Sequence, residues 1–205
     1  MDSQTTWTSW KLKAIRSLTT PYKIQQFLDK TVYSSESRYR SPRSVLRDNT
    51  AHCFDGAVFA AAMLRRLGYK PLIVDMQSVR DDDHVIAIFK KNGCFGAIAK
   101  SNFAGLRYRE PIYKTVRELV MSYFELFYNI KKEKTLRQFT VPLNLSSYKN
   151  FEFDDDVLEV IGLKLSYIPV TKLMTPSQIR SLQHVDERSY KSGLMGANAK
   201  GLYKP

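Results

Sequence analysis

The chain has 205 residues, of which 43% are hydrophobic and 25% charged, and its formal net charge is +12 at pH 7. This length and composition are ordinary for one globular domain with its own core and exclude a disulfide-dense miniature protein. The longest apolar run, 57–64, is too short to span a bilayer, and the first twenty residues contain no apolar signal-peptide core. We therefore expect a cytoplasmic protein with no membrane span.

The basic residues are spread along the chain, apart from clusters at 38–47 and 131–134. A basic balance of this size raises the prospect of an acidic partner, such as nucleic acid, an anionic polymer or a phospholipid surface. None of the usual nucleic-acid-binding motifs is present. A solvated basic surface is therefore the simpler interpretation, and a polyanion contact is the weaker one.

Composition divides the chain into three parts. Residues 1–20 predict an N-terminal arm or short helix, and residues 21–190 predict a single domain. From 191 to 205 the chain is rich in Gly, Ala, Asn and Lys, which predicts a mobile C-terminal tail.

The first predicted elements of the domain are helical. Thr20-Pro21 begins a helix over 22–32, because Pro is favoured in a first turn and the apolar residues recur at helical spacing. The arginine-rich segment 34–49 predicts a loop. A second helix is expected over 53–67, with a wide apolar stripe, and Gly68 supplies its left-handed stop. The alanines of this helix are typical of a buried central helix.

The next elements are predicted strands at 72–76, 85–89 and 95–99. The second is apolar on both faces, which favours a central place in a sheet. Lys91-Asn92-Gly93 before the third indicates a hairpin turn.

The C-terminal half gives weaker patterns. They predict a long helix over 113–128, strands at 139–145 and 160–168, and a last helix that begins at Thr175-Pro176.

The chemistry of the chain is concentrated at Cys53 and His84. A cysteine at a helix N-terminus gains thiolate character from the free N–H groups and the helix dipole. His84, which begins a strand after the aspartates 81–83, is the expected general base. We judge His52 too close in sequence to reach the sulfur of its neighbour, and His184 too far along the chain. A zinc site at Cys53 and His84 lacks clustered ligand spacing, so no metal or other cofactor is expected.

The segments 53–71, 72–75 and 83–89 resemble the transglutaminase-like superfamily, which shares the papain-type core. The resemblance covers about 21–107. It implies an α+β fold in which a central helix with Cys at its N-terminus packs on an antiparallel sheet, with extra helices and strands C-terminal to this core. It also implies acyl transfer from a peptide or amide substrate through a thioester. The superfamily contains inactive copies too, so the alternative is a binding module with a basic surface.

The third residue of the superfamily's pattern is less clear in this chain. An acidic residue is usual on the strand after the glycine turn, but 94–102 contains none. If the turn has two residues, His84 lies opposite Ser101; if it has three, Asn102 shares the face of His84. We favour Asn102 as the orienter of His84, with Ser101 and Asp83 as alternatives.

Overall fold

An antiparallel sheet organises the part of the chain that the computed structural model describes, residues 7–204 without the side chains of 9–11. The fold is mixed α+β, as expected. The strands are β1 (Val32–Tyr33), β2 (Thr50–Ala51), β3 (Leu72–Ser78), β4 (His84–Lys91), β5 (Cys94–Ile98), β6 (Arg109–Tyr113), β7 (Leu136–Thr140), β8 (Leu143–Asn144) and β9 (Val170–Lys172). The helices are α1 (Ser9–Arg16), α2 (Pro21–Lys30), α3 (Pro42–Asp48), α4 (Cys53–Arg66), α5 (Val116–Met121), α6 (Asp155–Leu165), α7 (Pro176–Arg180) and α8 (Glu187–Gly193).

The main sheet has the order β6-β5-β4-β3-β7-β9, and β8 pairs with one end of β3. Strand β4 therefore lies between two partners, which confirms the central place predicted from its apolar pattern. Its side chains alternate between two cores. Val85, Ala87 and Phe89 face α4, whereas Ile86 and Ile88 face the α5 side of the sheet. The sheet thus has both faces covered, and this explains a strand without a polar face.

Helix α4 is the buried centre of the first core. Its residues from Cys53 to Leu64 are all buried, and α2 and α3 pack against it. Gly56 allows Lys100 to pack directly against α4, since a Cβ atom at position 56 would lie 2.3 Å from the Cβ atom of Lys100. The Lys100 ammonium donates to the carbonyl of Leu28 at 2.9 Å and to that of Thr31, so it holds the C-terminal end of α2.

The β4–β5 hairpin decides the register around His84. Lys91 pairs with Cys94, which leaves a two-residue turn at Asn92 and Gly93 with φ of 51° and 79°. Positive φ at both positions matches a type I′ turn, whose twist suits the flanking strands. The three-residue loop on which we favoured Asn102 is therefore wrong. Pairing ends at Ala87 and Ile98, so neither Ser101 nor Asn102 belongs to the ladder.

In the C-terminal half, the structure differs from the sequence prediction at 113–128 and at 160–168. Residues 160–165 belong to helix α6 rather than to a strand. The Asp154 side chain accepts the N–H of Asp156 and caps this helix, and the helix buries apolar residues at helical spacing. The predicted helix over 113–128 is short: Tyr113 pairs with β5, and only Val116–Met121 is α-helical. Short apolar runs fit either element, and tertiary contacts decide between them.

Candidate active site

Cys53 is the first residue of α4, and only 4% of it is exposed. The Asp55 side chain fixes the backbone that leads into the helix by two hydrogen bonds. Its Oδ2 accepts the backbone N–H of His52 and its Oδ1 that of Arg40, both at 2.9 Å. Burial raises the pKa of this carboxyl to about 6, although both backbone bonds favour the ionised form. The Cys53 thiol lies 3.8 Å from the backbone carbonyl of Asp83, just before β4.

His52 makes the direct contact with the sulfur: its Nδ1 lies 3.4 Å from Cys53 Sγ. Our expectation that a sequence neighbour would not reach the sulfur is wrong. His52 occupies the N-cap with an extended backbone, at φ −81° and ψ 175°, and its side chain turns towards the first turn of α4. The negative sulfur raises the pKa of His52 to about 9, against the effect of burial. His52 is therefore an imidazolium at neutral pH.

His84 lies at the start of β4, lines a cavity together with Cys53, and is 5% exposed. Its Nε2 lies 2.9 Å from the carbonyl oxygen of Leu106. A carbonyl only accepts, so Nε2 carries a proton and a neutral ring keeps Nδ1 as a proton acceptor. Burial alone would raise the pKa of the Cys53 thiol, but the charges and hydrogen bonds of His52 and His84 hold this pKa well below its usual range.

The candidates for the third residue all have other partners. The Asn102 amide donates to the carbonyl of Asn198 at 2.9 Å and accepts its N–H at 2.7 Å. Ser101 Oγ accepts the N–H of Phe103, and Asp83 Oδ1 accepts the N–H of Ser78. The His84 ring is oriented instead by the hydrogen bond that its Nε2 donates to the backbone carbonyl of Leu106.

Cys53, His84, Ser101, Asn102 and Asp83 nevertheless line one cavity. Its volume is about 40 Å³, little more than one water molecule occupies. The structure therefore brings the sequence-predicted residues together around one small cavity.

The C-terminal segment forms part of the wall of this cavity. The composition predicts a mobile tail from 191; in the structure α8 ends at Gly193 and a 3-10 turn follows at Ala199–Gly201. Asn198 hydrogen-bonds Asn102, and Gly201 and Tyr203 line the cavity beside His84. Small residues allow this close approach: a Cβ atom on Gly201 would lie 3.0 Å from the Tyr33 ring.

Cys53 also lines a second cavity, which has a volume of about 240 Å³. Cys53, His52 and Asp75 of β3 line it. Asp75 Oδ2 accepts from Gln77 Nε2 at 3.2 Å, whereas Oδ1 is buried and has no hydrogen-bond partner among the residues that the structure describes. Burial, followed by the charge of Asp83, raises the pKa of Asp75 to about 7.

Asp75→Asn is expected to stabilise the protein in alkaline solution and to have little effect at pH 4. The pKa of Asp75 rises from 3.8 to about 7 on folding, so its favourable contribution is complete below about pH 4 and is lost as pH rises through 7. We expect the variant to gain about 4 kcal/mol at pH 8, since about 1.4 kcal/mol is lost for each pH unit between 3.8 and about 7. Urea unfolding at both pH values measures the difference. An equal effect at pH 4 and pH 8 would contradict it.

Sequence reasoning missed four parts of this site: His52, Asp75, the Leu106 carbonyl and Tyr33. Tyr33 lines the His84 cavity, and its pKa is raised by burial and then by the charge of Cys53. A signal existed for Asp75, a lone carboxylate inside an apolar strand pattern. None existed for Leu106, which acts through its backbone.

No family model matches the chain, and a search of curated proteins finds no match. In the described residues, no helix has the length and apolar character needed to cross a membrane. Within the same part of the chain, no group of three or more His, Cys, Asp or Glu side chains is placed to hold a metal ion. The functional argument therefore depends on the geometry around Cys53.

Proposed function

We propose that the chain is a cysteine-nucleophile acyl-transfer enzyme with a papain-like or transglutaminase-like core, acting on a peptide or amide carbonyl. One observation carries the proposal: the Cys53 sulfur lies at the N-terminus of a buried helix, 3.4 Å from His52 Nδ1, and His52 and His84 together lower its pKa. A low thiol pKa with an adjacent base is what nucleophilic cysteine catalysis requires.

The residues have distinct roles in this proposal. His52, with its pKa of about 9, stays protonated and stabilises the Cys53 thiolate. The thiolate attacks the carbonyl carbon, and the free N–H groups of the first turn of α4 stabilise the resulting oxyanion. His84, oriented by Leu106, is the acid and base of the reaction: in its protonated form it gives a proton to the departing amine, which leaves a thioester on Cys53.

The second half of the reaction restores the enzyme. Neutral His84 takes a proton from water or an amine as that nucleophile attacks the thioester carbon. The C–S bond breaks, the acyl group leaves as an acid or a new amide, and the Cys53 thiolate is regenerated. In this scheme Asn102 is a structural anchor for the C-terminal segment rather than the third catalytic residue.

The acyl-enzyme can be trapped with an activated ester. We expect p-nitrophenyl acetate to acylate Cys53 and mass spectrometry to locate one hydroxylamine-sensitive acetyl group there. Cys53→Ala should abolish it, and His84→Gln should slow turnover by about 100-fold because the proton transfer is lost. Cys94→Ser is the matched control and should behave as wild type. Acetylation that persists in Cys53→Ala would overturn the proposal.

The small volume of the His84 cavity favours one other function, a binding module whose sulfur is sealed. Its basic surface would then contact a polyanion. Heparin binding that weakens steeply with salt, together with no acylation of Cys53, would select this function. Binding that is independent of salt would rule it out.

A further inference from the structure

The cavity on the Asp75 side of Cys53 has a charge opposite to that of the whole protein. The chain carries a net charge of +12, yet the charged side chains that line this cavity are Asp75, Asp82 and Asp83, together with His52. No lysine or arginine is among its described lining residues. The three carboxylates outnumber the one imidazolium of His52, and a cavity of net negative charge concentrates cations.

Asp75 also has an unused hydrogen-bond acceptor. The residue is 6% exposed, and its Oδ1 is without a partner among the described residues, whereas Oδ2 accepts from Gln77. An unsatisfied buried carboxylate oxygen is costly, so a further donor or positive charge beside this carboxylate is favourable. Burial, followed by the charge of Asp83, raises the pKa of Asp75 to about 7, so its ionised form gains from a cation nearby.

The dimensions and walls suit a small organic group. The cavity of about 240 Å³ corresponds to about eight water volumes, enough for an aminoalkyl chain. Tyr39 and Phe54 line it beside the carboxylates, and aromatic faces also attract cations.

We propose that this cavity is a subsite for a positively charged, N–H-bearing group of the substrate, a primary ammonium or a guanidinium, with the Asp75 carboxylate as its charge partner. The idea rests on the proposed function, since it places the cation next to the reacting Cys53 sulfur. Asp75 is then a specificity-determining residue, while His84 and Cys53 carry out the chemistry.

Thiol reagents of different charge test the subsite. Methanethiosulfonates transfer their thioalkyl group to the cysteine, form a mixed disulfide and release methanesulfinate. The cationic 2-aminoethyl reagent, the anionic 2-sulfonatoethyl reagent and the neutral methyl reagent are compared at pH 8, where Asp75 is ionised. We expect Cys53 to prefer the cationic over the anionic reagent by about tenfold or more, although the net charge of the protein favours the opposite order.

Asp75→Asn should reduce this preference several-fold, because it keeps the shape and removes the charge. Asp156→Asn, which removes one charge from an exposed position on α6, is the matched control and should keep the wild-type ratio. No preference in the wild type, or the same ratio in Asp75→Asn, would overturn the subsite. The neutral reagent separates the two ideas: if it modifies Cys53 no faster than Cys94, the proposed function fails by itself.

A second measurement tests the subsite even if Cys53 does not react. The carboxyl carbon of Asp75, assigned by its loss in Asp75→Asn, is followed by ¹³C NMR at pH 7. Added n-butylammonium should shift this signal in a saturable way and lower the pH of its titration, whereas butyrate should not. A signal that responds to neither ion would overturn the subsite.

Discussion

Iodoacetamide at pH 6 is expected to alkylate Cys53 about tenfold faster than Cys94, despite the greater burial of Cys53. A thiol of ordinary pKa, near 8.5, is less than about 1% thiolate at this pH. His52 and His84 hold the pKa of Cys53 well below that range, so a larger share of its thiol is ionised at this pH. Low basicity reduces the intrinsic reactivity of a thiolate, and this limits the expected gain to about tenfold. Peptide mapping after brief labelling measures both sites.

The pH dependence of labelling gives a sharper form of this expectation. The Cys53 rate should rise less between pH 6 and 8 than the Cys94 rate, since the lowered pKa of Cys53 lets its thiolate form at lower pH. Replacement of His52 by Ala should restore a steeper rise over this interval, because it removes the direct partner of the sulfur at 3.4 Å. Replacement of His184, which lies between α7 and α8, is the matched control and should leave the profile unchanged. Equal labelling of the two cysteines at pH 6 would contradict an activated Cys53.

Gly56→Ala is expected to destabilise the fold by about 3 kcal/mol, the upper end of the usual cost of overpacking. The added Cβ atom would lie 2.3 Å from Lys100 Cβ, an atom fixed by the backbone rather than the flexible end of a side chain. The clash would push the first turn of α4, and Cys53 with it, away from Lys100. Urea unfolding measures the loss, and labelling of Cys53 reports whether the sulfur has moved.

A second background separates this clash from a general effect of the substitution. In Lys100→Gly the opposing Cβ atom is absent, so Gly56→Ala should be neutral or should stabilise by up to about 1 kcal/mol through the higher helix propensity of Ala. The comparison is made within that background, which already lacks the bonds from Lys100 to α2. A loss of about 3 kcal/mol in both backgrounds would contradict the packing explanation.

Secondary structure is predicted more accurately from the sequence in the N-terminal half of the chain than in the C-terminal half. Helix α4 and strand β4 were predictable because each is buried on all sides and has a strong apolar pattern with clear ends. Residues 160–168 were misassigned as a strand because a short apolar run fits both a strand and a helix. There the cap from Asp154 and the burial of one helical face made the difference.

The sequence by itself determined that the chain contains both helices and strands, the position of Cys53 at a helix N-terminus and the place of His84 at the start of a central strand. These are local properties, set by hydrophobic period and by the residues that begin and end each element. Only the tertiary structure decided what surrounds the sulfur. The orientation of the His52 side chain towards its neighbour, the carbonyl of Leu106 beside His84 and the surroundings of Asp75 depend on how the chain is packed, and no residue pattern encodes them. The C-terminal segment likewise covers the site through Asn198, because contacts 96 residues apart in sequence outweigh its loop-like composition.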